Sequence, residues 1–210
     1  MSNFVIVGDQ SHAMKSLATC LKTIPDTTVF GELFSRLDPD AMEQFAEDNV
    51  LIQMDQDPID FLTDQVFQRE GSTGFLLAQN QARCAAWSQV WGFIRKNTQI
   101  VHAVQSPIQS ILAKSRAFYI YVDPTEFTNI IKKFEMDQAD IKSYFKLATM
   151  ISISIDKIED QWNDLLWFLE LPYIDIASQD KTDPKARIEN YRDLVKALQD
   201  TPYLPYLTQE

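Results

Sequence analysis

The sequence predicts an α/β fold: a single domain, residues 1–210, with a mostly parallel sheet of about five strands and helices on both faces. Three observations carry that expectation. Short apolar runs recur at residues 4–7, 74–78 and 100–104, and unbroken runs of that kind are how strands buried on both faces read. Helical periodicity fills much of the chain between them. The chain has 210 residues, enough for one sizeable core.

In order, residues 4–7 end at Gly8 and make the first strand. After a polar turn, Met14, Leu17, Ala18, Cys20 and Leu21 recur at helical spacing as far as Pro25, so the chain opens as strand, loop, helix. Residues 27–30 are short and β-branched, a second strand. Residues 39–69 are acidic and weakly helical, broken by Asp-Pro pairs at 38–39 and 57–58. Residues 74–78 form the third strand. Residues 82–96 make a helix with Trp87, Val90, Trp91 and Ile94 on one face. It ends in Arg95 and Lys96, as a helix C-terminus favours.

Residues 100–104 are the fourth strand and 108–118 a helix. Residues 124–147 are mostly helical, with Asp123 as N-cap and Pro124 at the first helical position. Residues 151–155 alternate strictly and form the fifth strand. Residues 162–171 and 184–198 are helices, and 201–207, with Pro202 and Pro205, an extended tail. Trp87, Trp91, Trp162 and Trp167 fall at helical spacing and are read as core. In an open sheet of this order the ligand crevice lies beyond the carboxyl ends of the strands, so the loops after Val7, Phe30 and Val104 are where chemistry is expected.

Composition narrows the function. Hydrophobic residues are 45% and charged residues 23%, values of a folded globular chain. Thirty acidic against nineteen basic residues leave a net charge of −11, which disfavours nonspecific attraction to nucleic acid or anionic membrane. No apolar stretch reaches the ~18 residues of a membrane span. The run at 4–7 is too short for a signal segment and no basic residues precede it, so a cytoplasmic location is expected. Cys20 and Cys84 have no clustered Cys or His partners, so no metal pattern is present and both are expected to be buried, inert thiols.

The residues then become familiar. Phe4, Val5, Ile6, Val7 and Gly8, a helix reaching Pro25 and Asp26, and then Phe30, Gly31, Glu32, Leu33 and Phe34 resemble the start of bacterial and carbohydrate sulfotransferases that use 3′-phosphoadenosine 5′-phosphosulfate (PAPS). That start is a strand, a Gly-x-x-Arg-Ser-Gly-Thr-Thr loop, a Leu-rich helix, Pro-Asp, then Gly-Glu. Gly8 to Pro25 fits it without a gap. Residues 74–77 resemble the family's Gly-Phe-Lys-Leu strand, and 100–117 its fourth strand and helix. Residues 153–158 resemble its Val-Thr-Tyr-Glu-Asp-Leu segment and 168–172 its Phe-Leu-Gly-Leu. Residues 181–194 and 201–203 resemble its closing Lys-Gln-x-Pro to Asn-Tyr segment and Gly-Thr-x-Tyr tail. The order and spacing, more than any single piece, carry the likeness, which implies a sulfotransferase-like, P-loop-like α/β fold.

The resemblance also implies a site. Sulfuryl transfer, like phosphoryl transfer, depends on positioning and on stabilising charge spread over equatorial oxygens. A loop feeding a helix N-terminus offers backbone N–H groups to the anion, and small residues let the backbone approach. The implied cofactor-binding residues in that loop are Gly8, Gln10, Ser11, Ala13, Met14 and Ser16. Ser11 stands where the family has Arg or Lys and His12 where it has Ser. Ala13 stands for Gly, and Met14 and Lys15 for two hydroxyl residues, while Asp9 adds a negative charge. After the fourth strand, Gln105 and Ser106 stand at the family's Arg and Lys114 at or beside its Ser, with Ser115 one place off. Lys181 matches a late basic residue that closes over the cofactor. The implied catalytic residues are Glu32, as the base facing the acceptor hydroxyl, with His12 and Lys15 as anion donors.

Each position also has a plain reading. His12 reads as a solvated loop histidine and Glu32 as a helix-start carboxylate. Gln105 and Ser106 read as a polar loop, and Lys114 and Lys181 as solvated lysines. Lys15 and Ser16 end like a Walker motif, but the glycine spacing is wrong. Two functions follow. One is transfer of a sulfuryl group from PAPS to a hydroxyl of a carbohydrate or small metabolite. The other is a non-catalytic sulfotransferase fold kept as a binding or structural component with a protein partner.

Overall fold

Apolar runs with no polar face need cover on both sides, and the sheet supplies the frame for it. In the computed structural model, which describes residues 2–8, 12–32, 58–78, 88–176 and 183–208, the strands are β1 (Asn3–Gly8), β2 (Thr27–Glu32), β3 (Ser72–Ala78), β4 (Gln99–Val104) and β5 (Met150–Ser154). They form one five-stranded sheet in the order β2-β3-β1-β4-β5. Every pairing is parallel, as the strand–helix alternation requires. β1 lies at the centre, and the topological switch falls between it and β4. Their register runs from Phe4 opposite Gln99 to Val7 opposite His102.

The chain divides into two compact units, one of Met1–Val104 with Tyr144–Ile176 and the other of Gln105–Ser143 with Ala177–Glu210. The first holds the sheet. Successive side chains of a strand point to opposite faces. Phe4 and Ile6 of β1, Val101 and Ala103 of β4 and Ile153 of β5 therefore share one face. There they pack with Met14, Leu17 and Leu21 of α1 (His12–Leu21). Trp162, Leu165 and Leu166 of a later helix join the same cluster. Phe75 of β3 lies on the sheet with Phe67, from a π-helical stretch Leu62–Phe67 that continues α2 (Pro58–Phe61); their ring centroids are 6.5 Å apart. Phe67 in turn stacks 6.0 Å from Phe93 of α3 (Ser88–Asn97). Gly74 is shaped by a neighbour, because a Cβ there would lie 2.1 Å from Cε2 of Phe4, its partner across the sheet.

The second unit is helical: α4 (Pro107–Lys114), most of α5 (Pro124–Tyr144), and, after α6 (Ile158–Phe168) of the first unit, α7 (Pro184–Arg187), α8 (Tyr191–Leu198) and α9 (Pro205–Thr208). Ile108, Leu112, Phe127, Ile131, Leu194 and Leu198 are among its core. Asp123 Oδ1 caps α5, accepting the N–H groups of Thr125 and Glu126 at 2.9 Å. Tyr206 donates to Glu135 at 2.9 Å. Burial first, then that bond, pushes its phenol up to about 12.

Several expectations are corrected. The helix expected over 108–118 stops at Lys114, where Ser115 turns extended and donates its N–H to Ile111 and Leu112. Arg187 then takes over the carbonyls that helix would have used, bonding Leu112, Ala117 and Phe118. The helix expected over 184–198 is split, because Ile188 forms a parallel bridge with Ile120 and the Asn190 amide clamps the backbone of Val122. The tail expected to be extended ends in α9. Trp162 is core, but Trp167 is 83% exposed, since five residues of helix turn it about 140° away. Cys20 is half-buried at the edge of the core, not sealed within it. Cys84, Trp87 and the side chain of Trp91 lie outside the described residues. No helix among the described residues is long and apolar enough to cross a membrane.

Two glycines give opposite expectations. Gly74→Ala should destabilise the chain by about 1–3 kcal/mol, because the Phe4 ring must move. Gly92→Ala, in α3 with open space around the added carbon, should stabilise it by about 0.5–1 kcal/mol. Denaturant midpoints check both signs, and a neutral Gly74→Ala would contradict the packing described.

Candidate functional site

The candidate site begins where β1 hands over to α1. Gly8 is buried at the end of β1, and the backbone there leaves no room for a side chain. A Cβ would lie 3.0 Å from the carbonyl oxygen of Ala103 on β4 and 3.0 Å from Cγ of Met14. The predicted glycine is thus required by close contact with β4 and with the first turn of the following helix. α1 starts at His12, and the N–H groups of its first turn have no acceptors within the helix. That is the physical ingredient of an anion site.

The side chains in this turn are less suited to one. Ala13 and Met14 are both 0% exposed and belong to the core beneath the sheet. Each can offer an anion only its main-chain N–H. Lys15 is exposed and Ser16 half-buried. His12 is placed as the opening residue of α1, but its side chain, with Asp9, Gln10 and Ser11, lies outside the described residues. Glu32 is the last residue of β2, paired with Leu76 beyond an irregularity after Phe30. Its side chain is likewise outside the described residues, as is Lys181. Two residues before Glu32, the Phe30 ring carries the Arg69 guanidinium 4.7 Å from its centroid, a cation that sequence reading passed over.

The second group of candidates follows β4. Ser106 has extended backbone and is the N-cap of α4, with Pro107 at the first helical position. Its Oγ accepts the Gln109 N–H at 3.4 Å. Gln105 is half-buried, and its Oε1 is buried with no hydrogen-bond partner among the described residues. Lys114 is exposed in the last turn of α4, where a cation suits the helix dipole. Ser115 caps the end of that helix, and its Oγ accepts the Ala117 N–H at 3.2 Å. So Ser106 and Ser115 both hold local backbone, and Lys114 stands at the far end of α4 from Ser106.

A buried histidine also escaped the sequence reading. His102 is wholly buried in β4, opposite Val7 on one side and Ser152 on the other, with Nδ1 3.3 Å from Ser152 Oγ. It hides in an apolar run, and only the register reveals its neighbours. Among the described residues no cluster of three or more His, Cys, Asp or Glu side chains is placed to hold a metal.

No protein-family model matches the chain, and no curated protein matches it in sequence. Among solved structures it is similar to the crystal structure of a sulfotransferase from Alicyclobacillus acidocaldarius, with a TM-score of 0.52 over 99% of this chain and 95% of that chain, at 14% sequence identity. At that identity the likeness establishes the fold, a sulfotransferase fold with its all-parallel five-stranded sheet.

The capping role of Ser106 is open to test. Ser106→Ala should cost about 0.5–1 kcal/mol of stability, the low end for an N-cap because the bond is long, and Ser106→Asp should restore it. Thermal melts of the two variants check this; equal melting of Ser106→Ala and the parent would free the hydroxyl for another role.

Proposed function

We propose that this chain is a sulfotransferase-fold protein that has lost ordinary PAPS binding and serves as a binding or structural component. The observation that carries this is Met14. Where the family resemblance places a hydroxyl for the 5′-phosphosulfate, this chain has a thioether with 0% exposure, packed against Gly8. Its neighbour Ala13 is equally buried. After β4, Ser106 is engaged as a helix cap, and Gln105 brings an uncharged amide where the family carries Arg.

PAPS is highly anionic, and the described residues do not fit it. Of the positions carried over, Lys15 and Lys114 supply the charge among those described, the latter at a helix C-terminus. A hydrogen bond to a charged group contributes ~1.5–3 kcal/mol. Losing two or three of them costs roughly 4–8 kcal/mol, or about three to six orders of magnitude in affinity. The net charge of −11 adds a further repulsion that local cations would have to overcome. A single-domain, cytoplasmic protein with a protein partner accords with this reading.

A second reading, transfer of a sulfuryl group to a hydroxyl of a carbohydrate or small metabolite, draws on Lys15, exposed in the first turn of α1, and on Glu32 at the end of β2. The two separate in a thermal melt with 3′-phosphoadenosine 5′-phosphate. A ligand at 100 times its dissociation constant adds ~2.7 kcal/mol. The parent chain should show no shift at millimolar nucleotide. Ser11→Arg combined with Gln105→Arg, which leaves the α4 cap intact, should gain one. A clear shift of the parent would favour the enzyme.

A further inference from the structure

Trp167 and Tyr173, 83% and 69% exposed, lie on α6 and on the chain that follows it. Trp162, five residues before Trp167, is sealed in the core, so the helix divides its two indoles between core and solvent. An indole is the largest apolar side chain a protein can leave in water, and exposed aromatic groups that sit together mark interaction sites.

The chain after α6 turns back along it. Glu170, in the left-handed region at φ 54, donates its N–H to the Trp167 carbonyl at 3.1 Å, and Leu171 donates to Leu166 at 2.9 Å. The Trp162 indole N–H then reaches the Ile174 carbonyl at 2.7 Å. Leu171, Ile174 and Ile176 pack on the core, while Tyr173 is left outside. Its phenol donates to Asp175 at 3.1 Å. That bond and the Asp175 charge raise its pKa, and the side chain of Asn163 close by acts in the opposite sense. Asn163 precedes Trp167 by four positions, one helical turn away on the same face, so phenol and indole flank the same amide. Aromatic side chains on a fixed backbone bind at a small entropic cost.

Carboxylates surround the pair. Asp160, Asp164 and Trp167 follow one stripe of α6, and Asp160, Asp164, Glu170 and Asp175 are all exposed. Residues 144–176, the stretch of the first unit that holds β5 and α6, carry Lys146 and Lys157 against Asp156, Glu159, Asp160, Asp164, Glu170 and Asp175, a net of 2 − 6 = −4. α1 packs on the same core, and residues 12–26 add Lys15 and Lys22 against Asp26, which leaves −3. The local sign agrees with the chain's total of −11. Near and far fields therefore both attract a cationic partner and both repel nucleic acid and acidic peptides. They also disfavour two copies meeting on this face, since an isologous contact sets like charges against each other. Among cations the guanidinium fits best: it is planar, stacks on an indole face and bonds carboxylates in pairs. The two rings offer roughly 300 Å², less than half of one partner's share of a standard interface, an area suited to a short segment.

We infer that Trp167 and Tyr173, with Asp164 and Glu170, form a docking site for an arginine-bearing segment of another protein, a guanidinium stacked on the indole and held by the flanking carboxylates. The inference rests on α6 and the chain after it, and holds whether or not the loop after β1 takes a nucleotide.

The test titrates the full chain, by calorimetry, with a short capped peptide alternating arginine with glycine. Binding with a dissociation constant on the order of 100 µM, weakening as salt rises, is expected. Trp167→Ala, which removes no charge, should weaken it by about fivefold or more with the melting temperature unchanged. Asp164→Asn with Glu170→Gln should do the same. Asp193→Asn with Asp200→Asn, at exposed positions in the second unit, should leave binding within about twofold of the parent. Lysine in place of arginine should bind less tightly, and glutamate not at all. No binding at millimolar peptide, equal binding by Trp167→Ala, or an equal loss in the variant at Asp193 and Asp200 would overturn the proposal. So would self-association abolished by Trp167→Ala, which would assign the patch to a second copy of this chain.

Discussion

The contact on which the site depends is the one beneath Gly8. β1 ends so close to the Ala103 carbonyl of β4, and to the thioether of Met14, that Gly8 and the first turn of α1 are held together by packing. Met14, Leu17 and Leu21 draw α1 onto the sheet, and the same cluster holds α6. A helix positioned in this way presents its first-turn amides at the carboxyl end of the central strand, whatever those amides then meet. The frame of an anion site thus persists for reasons of core packing. The charge that would make it grip a nucleotide sulfate is a separate matter, decided by a few side chains.

That separation is what lets a sulfotransferase fold be kept without sulfotransferase chemistry, as proposed for this chain. A close-packed core tolerates any side chain of suitable volume, and Met14 stabilises the frame by filling it. A ligand hydroxyl at the same position would give up that burial. Similarly, Ser106 serves α4 as a cap, a role that needs no ligand. The second unit shows the converse: its long-range bonds, Arg187 to the loop after α4 and Asn190 to Val122, fix a surface and leave the side chains of Phe118, Tyr119 and Tyr121 out in solvent.

Much of the fold was legible in the sequence, and for a clear reason. Buried parallel strands leave unbroken apolar runs, so β1, β3 and β4 stand out, and the Ser-Pro and Asp-Pro pairs before α4 and α5 mark helix starts. What escaped was non-local. The stop of α4 at Lys114 depends on a guanidinium about seventy positions away. The break between α7 and α8 depends on a bridge to Ile120. Trp167 was assigned to the core by spacing alone, and His102 was hidden because its neighbours appear only once strands are registered. Of the candidate site, sequence position alone placed Gly8 at the end of β1, Lys15 in the first turn of α1 and Ser106 just before α4. That Met14 and Ala13 face inward could be learned only from the packing of α1.

The account turns on whether the first turn of α1 still captures an anionic nucleotide. The most direct measurement follows the backbone amide signals of Gly8 and residues 12–16 by nuclear magnetic resonance as 3′-phosphoadenosine 5′-phosphate is added at constant ionic strength. The account predicts that these signals stay where an equal amount of inert salt leaves them. Saturable movement of the Met14 and Lys15 amides at micromolar nucleotide would contradict it.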